Sequence, residues 1–192
     1  MSYMRLYVIR HGMTEANEKR LCYGCTDIPL SEQGREKLAE LKAEGIYTEA
    51  DKYVTSSLMR TAETLSILYD RKPDIIIEEF NEMNFGEFEM VSYESLGESD
   101  EWRNWADGGS SAVCPCGESL DVFMDRVARG LKKLVSVDTE SVVLICHGGV
   151  IISIMNRYFP GRENFYSWQP ECGKGYVLDI SDDITATLVG EI

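Results

Sequence analysis

Histidine is nearly absent from this chain, with two residues in 192. Positive charge is scarce as well: 19 lysines and arginines stand against 33 aspartates and glutamates, a formal net charge of −14. Such a surface repels nucleic acid and anionic lipid, so neither is expected as a partner. It also repels a phosphorylated metabolite at long range. Any phosphate site must then be a local island of positive charge, which makes the position of each arginine informative. No stretch approaches the roughly 20 apolar residues needed to span a bilayer. The N-terminal segment runs straight into a strand pattern without signal-peptide organisation, so a cytoplasmic setting is expected. Repeats, low-complexity tracts and interdomain linkers are also missing. The length favours one domain over residues 1–192.

Hydrophobic content of 44% and charged content of 27% are ordinary for a globular chain. Six cysteines raise the question of a metal or disulfides. Cys22-Tyr23-Gly24-Cys25 and Cys114-Pro115-Cys116 could supply four thiolates. The pairs lie about 90 residues apart, however, and neither is framed as a zinc knuckle, so no metal is expected. Disulfides are not expected in a reducing compartment. Cys146, at the end of an apolar run, reads as a small core residue.

Residues 4–10 read as a strand buried on both faces, apolar without strict alternation, as parallel sheets require. A helix is expected from an N-cap at Ser31, with Leu38 and Leu41 inward. Residues 52–55 form a second strand. It turns through Ser56-Ser57 into a capped helix with Arg60 in its first turn. Residues 75–77 form a third strand. Residues 85–117 have weak periodicity, several glycines and a Trp102/Trp105 pair, and read as a part-helical, lid-like insertion in which the tryptophans pack against the body. An amphipathic helix follows over 118–135, with Phe123, Val127, Leu131 and Leu134 on one face. Next come a strand over 142–146 and a helix through Val150, Ile151, Ile154 and Met155. The chain closes with a hairpin of 176–180 and 185–189 about a Ser181-Asp182-Asp183 turn. The alternation of strand and helix indicates an α/β fold.

Both histidines end apolar runs in glycine-flanked turns, His11 in Arg10-His11-Gly12 and His147 in His147-Gly148-Gly149. Each imidazole therefore stands at the carboxyl end of a strand, the edge where open α/β sheets bind ligands. Arg60 and Glu82 occupy the same setting, just after the second and third strands. Phosphoryl transfer without a metal needs a nucleophile, fixed positive charge around the phosphoryl oxygens and an acid for the leaving oxygen. Backbone N–H donors at helix N-termini help as well. His11 suits the nucleophile, Arg10, Arg60 and His147 the clamp, and Glu82 the acid. Glu78, Glu79, Glu87 and Glu89 lie close enough to Glu82 to compete for that role. Taken alone, His147 reads as a core histidine, Arg60 and Glu82 as surface charges and Asn17 as a cap or turn residue. Their joint occurrence favours the site.

The segment RHGMTEANEKRLCYGCTDIPLSEQGREKL resembles the opening signature of the histidine phosphatase superfamily, also called phosphoglycerate mutase-like. The resemblance continues in order through SSLMRTAET, NEMNFGEFE, CGESLDVFMDRV and VVLICHGGVI, nearly the whole chain. It implies a three-layer α/β/α sandwich with a mostly parallel central sheet and no metal or other cofactor. It further implies a transient phosphohistidine on His11, with Arg10, Asn17, Arg60 and His147 on the phosphoryl group and Glu82 as the acid. Gly148 belongs to the same phosphate-binding turn. Arg20 and Thr26 fall where relatives often contact substrate. Two positions depart from the pattern. Met90 follows Glu89 where relatives commonly have glycine, and Ile152 and Ser153 stand where relatives often have arginine.

The superfamily contains hydrolases and mutases. A mutase must hold a second anionic group, yet residues 90–101 are acidic and carry no lysine or arginine. Hydrolysis of a small phosphomonoester is therefore the expected activity, with a cofactor-dependent phosphoglycerate mutase as the alternative. The WRNWADGG and CGES segments also resemble alpha-ribazole phosphatases and broad-specificity members. A silent phosphate-binding module is disfavoured because every core residue is kept. The expected partner is a small phosphorylated metabolite, and a homodimer is left open.

Overall fold

Residues Met4–Arg10 form strand β1, which buries Leu6 and Val8 on one face and Ile9 on the other because both faces are covered. The computed structural model describes residues 3–161, 165–181 and 185–192. After β1 come α1 (Glu15–Glu18), β2 (Leu21–Cys22), α2 (Glu32–Ala43), β3 (Lys52–Thr55), α3 (Met59–Tyr69) and β4 (Ile75–Ile76). The middle of the chain holds β5 (Val91–Ser92), α4 (Tyr93–Glu98) and α5 (Asp100–Asp107). It closes with α6 (Leu120–Val135), β6 (Ser141–Cys146), α7 (Gly148–Tyr158), β7 (Gly175–Ile180) and β8 (Ala186–Glu191).

The main sheet has the order β4-β3-β6-β1-β7-β8. β4, β3, β6 and β1 run parallel, β7 is antiparallel to β1, and β8 is antiparallel to β7. Only β7 therefore runs against the other five. On one face Leu6, Val8, Val54, Val142 and Leu144 pack with Phe123, Val127, Leu131 and Leu134 of α6 and with Val150, Ile151 and Ile154 of α7. On the other, Ile9, Tyr53, Val143 and Ile145 pack with Leu38 of α2 and with Leu65, Leu68 and Tyr69 of α3. The result is the α/β/α sandwich that the sequence leads one to expect. β1 and β6 are neighbours, yet the helices that follow them, α2 and α7, lie on opposite faces. Their carboxyl ends thus flank the crevice where the strand order switches.

Local expectations fail where short side chains were asked to do what a distant residue does. Ser31 does cap α2, accepting from Gly34 N at 3.0 Å. Helix α3 has Leu58 as its N-cap, which makes no side-chain cap hydrogen bond. Asp27 supplies the missing acceptor, taking the Met59 N–H at 2.7 Å. The third strand ends at Ile76 because Ile77 leads into a 3-10 turn, Glu78–Phe80. In the expected terminal turn, Asp182 and Asp183 lie outside the described residues. Residues 85–117 contain a 3-10 turn (Gly86–Phe88), β5, α4 and α5, and β5 pairs with β2 in a separate two-stranded ribbon.

Candidate active site

Strand register brings the two histidines together. Arg10 pairs with Cys146 across β1 and β6, and the His11 N–H donates to the Cys146 carbonyl at 2.9 Å. The next residue on each strand is a histidine, and the rings meet edge to face with centroids 5.2 Å apart. His11 is buried, and its Nδ1 lies 2.6 Å from the Gly12 carbonyl. A carbonyl only accepts, so Nδ1 carries the proton and Nε2 keeps its lone pair. Burial, then the charges of Arg60 and Arg10, hold His11 well below the ordinary histidine value. At neutral pH the ring is uncharged.

His147 is buried completely. Its Nδ1 accepts from Arg60 Nε at 3.3 Å, which puts its proton on Nε2, 2.8 Å from Ser56 Oγ. Burial, then Arg60, His11, Arg10 and Arg126, depress its pKa well below the usual value. The sequence leads one to expect His147 on the phosphoryl group directly. Its ring contacts Arg60 through one nitrogen and Ser56 through the other, and meets His11, a cavity-lining residue, edge to face.

Arg60 is wholly buried in the first turn of α3. Its Nη1 donates to Thr26 O at 2.9 Å and its Nη2 to Gly24 O at 2.6 Å, while the guanidinium carbon sits 5.0 Å from the Tyr23 ring centre. Arg10 donates through Nη1 to Pro170 O at 2.8 Å. Its buried Nε has no partner among the described residues, an orphan donor on a residue that lines the cavity. Asn17 closes the capping box of α1 with Thr14. Its Oδ1 accepts from Thr14 N at 3.0 Å and from the Tyr23 phenol at 2.8 Å, so the amide NH₂ is the group left to donate. Asn17 is thus both a cap and a wall of the cavity.

Glu82 follows the 3-10 turn after β4. Its two oxygens accept from Met83 N (3.0 Å) and Gly149 N (2.9 Å), tying it to the start of α7. A Cβ at Gly149 would stand 2.4 Å from Glu82 Oε1, so a side chain there would displace the Glu82 carboxylate. Arg126 anchors the preceding backbone through Glu79 O and Asn81 O and pairs with Glu118.

Arg10, His11, Asn17, Arg20, Arg60, Glu82, Gly148 and Gly149 line one cavity of about 750 Å³. Its remaining wall is largely aromatic, with Tyr23, Phe85, Tyr93, Trp102, Trp105 and Phe123. The tryptophans also pack on Phe88, at 5.2 Å for Trp102 and 5.9 Å for Trp105, so they serve the body and the cavity together. Thr26 does not line the cavity; its hydroxyl donates to Glu89 and its carbonyl holds Arg60. Tyr23, Ser56 and Glu89 escaped the reading of the sequence. Tyr23 and Ser56 stand beside singled-out residues, and Glu89 figured only as a competitor of Glu82. Among the described residues no group of three or more His, Cys, Asp or Glu is arranged to hold a metal ion.

The profile of the histidine phosphatase superfamily (branch 1) matches residues 6–184. An adenosylcobalamin/alpha-ribazole phosphatase of Salmonella typhimurium is 31% identical over 159 residues, 80% of this chain and 79% of that protein. A protein of Photorhabdus laumondii named a probable phosphoglycerate mutase is 31% identical over an alignment of 203 positions that covers 95% of this chain and 94% of that protein. The crystal structure of the alpha-ribazole phosphatase from Shigella flexneri superposes with a TM-score of 0.83 at 28% identity, covering 97% of this chain and 95% of that one. With two histidines on adjacent strand ends, a buried Arg60 beside a half-buried Arg10 and a matching profile over most of its length, the chain belongs to the histidine phosphatase superfamily.

Proposed function

We propose that the protein hydrolyses small phosphomonoesters through a phosphohistidine on His11, without a metal. The observation that carries this reading is the His11 ring, neutral and locked by Gly12 O. Its Nε2 is free in a cavity shared with Arg10, Asn17, Arg60 and Glu82. In the first step His11 Nε2 attacks phosphorus, and the bond to the leaving oxygen breaks as Glu82 protonates that oxygen. Arg10 and Arg60 neutralise the phosphoryl oxygens, Asn17 adds a neutral donor, and Gly148 brings backbone close to the anion at the start of α7. In the second step Glu82 takes a proton from water, which attacks the phosphohistidine and releases phosphate. His147 acts by holding Arg60 through its unprotonated Nδ1.

The leaving group would lie along the aromatic wall, with Arg20 at the rim. Apart from Arg20, that wall offers no cation among the described residues to a second phosphate or a carboxylate. This favours hydrolysis of an ester with a largely apolar, ring-bearing leaving group over phosphoglycerate transfer. Alpha-ribazole phosphate, named for two of the relatives, is the first compound to try. The similarity to a probable phosphoglycerate mutase keeps transfer as the second reading. The same reading treats residues 85–117 as a lid over the cavity, within one domain, and puts the reaction in the cytoplasm.

The test is phosphate release in EDTA from a panel holding para-nitrophenyl phosphate, both phosphoglycerates, sugar phosphates and alpha-ribazole phosphate. Wild type and His11→Ala are compared. Release that EDTA leaves intact and His11→Ala abolishes is the expected result. Interconversion of phosphoglycerates with little free phosphate would establish the mutase. No turnover of either kind would leave a phosphate-binding module.

A further inference from the structure

Arg60 is a charged group without a carboxylate on its own hydrogen-bonding shell. Burial lowers its pKa, and its η nitrogens rest on two carbonyls of one short loop, Gly24 O and Thr26 O. Leaving a buried guanidinium to neutral acceptors alone is costly, so a compensating negative charge is expected nearby. Glu82 and Asp27 contribute negative charge there, and Glu89 adds its own from the opposite side of that loop. Its carboxylate accepts from Gly24 N at 3.0 Å, Cys25 N at 3.1 Å, Thr26 N at 3.2 Å and Phe85 N at 3.0 Å, and also from Thr26 Oγ1. The Gly24 carbonyl and the Cys25 N–H belong to one peptide group, whose ends point in opposite directions. The guanidinium, that peptide dipole and the carboxylate are therefore aligned, and each hydrogen bond strengthens the other.

The placement follows from the ribbon. Cys22 pairs with Val91 and Leu21 with Ser92, so continuing the antiparallel register sets Gly24 opposite Glu89. Gly24 is required because a Cβ there would meet the Met83 carbonyl at 1.7 Å. Burial raises the Glu89 pKa, but its bonds from Thr26 and from the N–H groups of Gly24, Phe85 and Thr26 outweigh that, and the carboxyl titrates below its ordinary value.

We propose that Glu89 is the positioning residue of Arg60: across the Gly24–Cys25 peptide it fixes loop 24–26 so that the loop carbonyls present the guanidinium to the phosphoryl group. This rests on the reading of the cavity as a phosphate site. Glu89 itself does not line the cavity and takes no part in bond making.

A double-mutant cycle tests it, because a residue that acts only through Arg60 has nothing left to do once Arg60 is gone. The affinity for inorganic phosphate and the kcat and KM for para-nitrophenyl phosphate would be measured for wild type, Glu89→Gln, Arg60→Gln and the double variant, with Tm alongside. Glu89→Gln is expected to weaken phosphate about tenfold in the wild-type background and less than about twofold in the Arg60→Gln background. Losses that multiply would overturn the proposal and leave Glu89 a general structural residue. Arg60→Gln binding phosphate as well as wild type would overturn the reading of the site itself, and the positioning role with it. Should Glu89→Gln fail to fold, Thr26→Val, which removes one donor to Glu89, enters the same cycle. It is expected to show the same non-additivity at about threefold.

Discussion

The two histidines carry a cost that pH should reveal. Both are buried, and both have folded-state pKa values well below 6.5, through burial first and then the nearby arginines. The unfolded chain titrates its histidines near 6.5, so below that pH it binds protons that the native protein refuses. The histidine contribution is fully present above about pH 6.5 and is lost as pH falls toward the folded values. The slope approaches about 1.4 kcal/mol per pH unit for each histidine, roughly 2.8 for the pair. Urea melts in phosphate-free buffer between pH 6.5 and 5 check this, with His11→Asn as the control that removes one titrating group. An unchanged slope in the variant would mean that His11 is not held neutral. The same neutrality suits the proposed chemistry, since only an unprotonated Nε2 can attack phosphorus. Much of this was legible from residues alone, because a scarce residue type appearing twice after apolar runs is an informative pattern. The orientation of His147 was not, because a sequence does not say which nitrogen faces an arginine.

Elements of the main sheet were readable for a definite reason. β1, β3 and β6 are buried on both faces and so show as apolar runs, and α6 shows as a stripe of Phe123, Val127, Leu131 and Leu134. The ribbon of β2 and β5 escaped because each strand has two residues, too few for any period to appear. With it went the roles of Glu89 and Thr26, which depend on pairing between residues about 65 apart in sequence. One sequence feature does acquire a structural meaning at this scale. Met90, standing where relatives commonly have glycine, has φ of 63°, in the left-handed region that a side chain disfavours by about 1–2 kcal/mol. Its N–H donates to Cys22 O at 2.6 Å, so the turn is held by the ribbon. Met90 is exposed and has little packing to lose. Met90→Gly is therefore expected to stabilise the protein by about 0.5–1 kcal/mol, the relieved strain less the extra freedom of glycine when unfolded. An increase in the urea midpoint at unchanged m-value checks it. A decrease would show that the methionine side chain contributes more through contact than its backbone costs.

Across the whole molecule, charge and site pull in opposite directions. A net charge of −14 surrounds a cavity whose fixed cations among the described residues are Arg10 and Arg60, with Arg20 at the rim. An anionic ester approaching from a distance meets the summed charge, and only within a few ångströms does it meet the arginines. Raising the salt from about 10 mM to about 100 mM shortens the screening length from roughly 30 Å to 10 Å. That removes most of the distant repulsion while leaving the close contacts, which lie in a low-dielectric pocket, largely intact. For a protein with a cationic surface the same change would slow capture of an anion. Here kcat/KM for para-nitrophenyl phosphate is expected to rise by about twofold over that range with sodium chloride, while kcat stays level. Initial rates at substrate concentrations well below KM measure it directly. A steady fall in kcat/KM with salt would mean that the local field of the arginines reaches beyond the cavity and governs encounter. The acidic surface would then be irrelevant to the rate, and its explanation would have to be sought in solubility rather than in substrate selection.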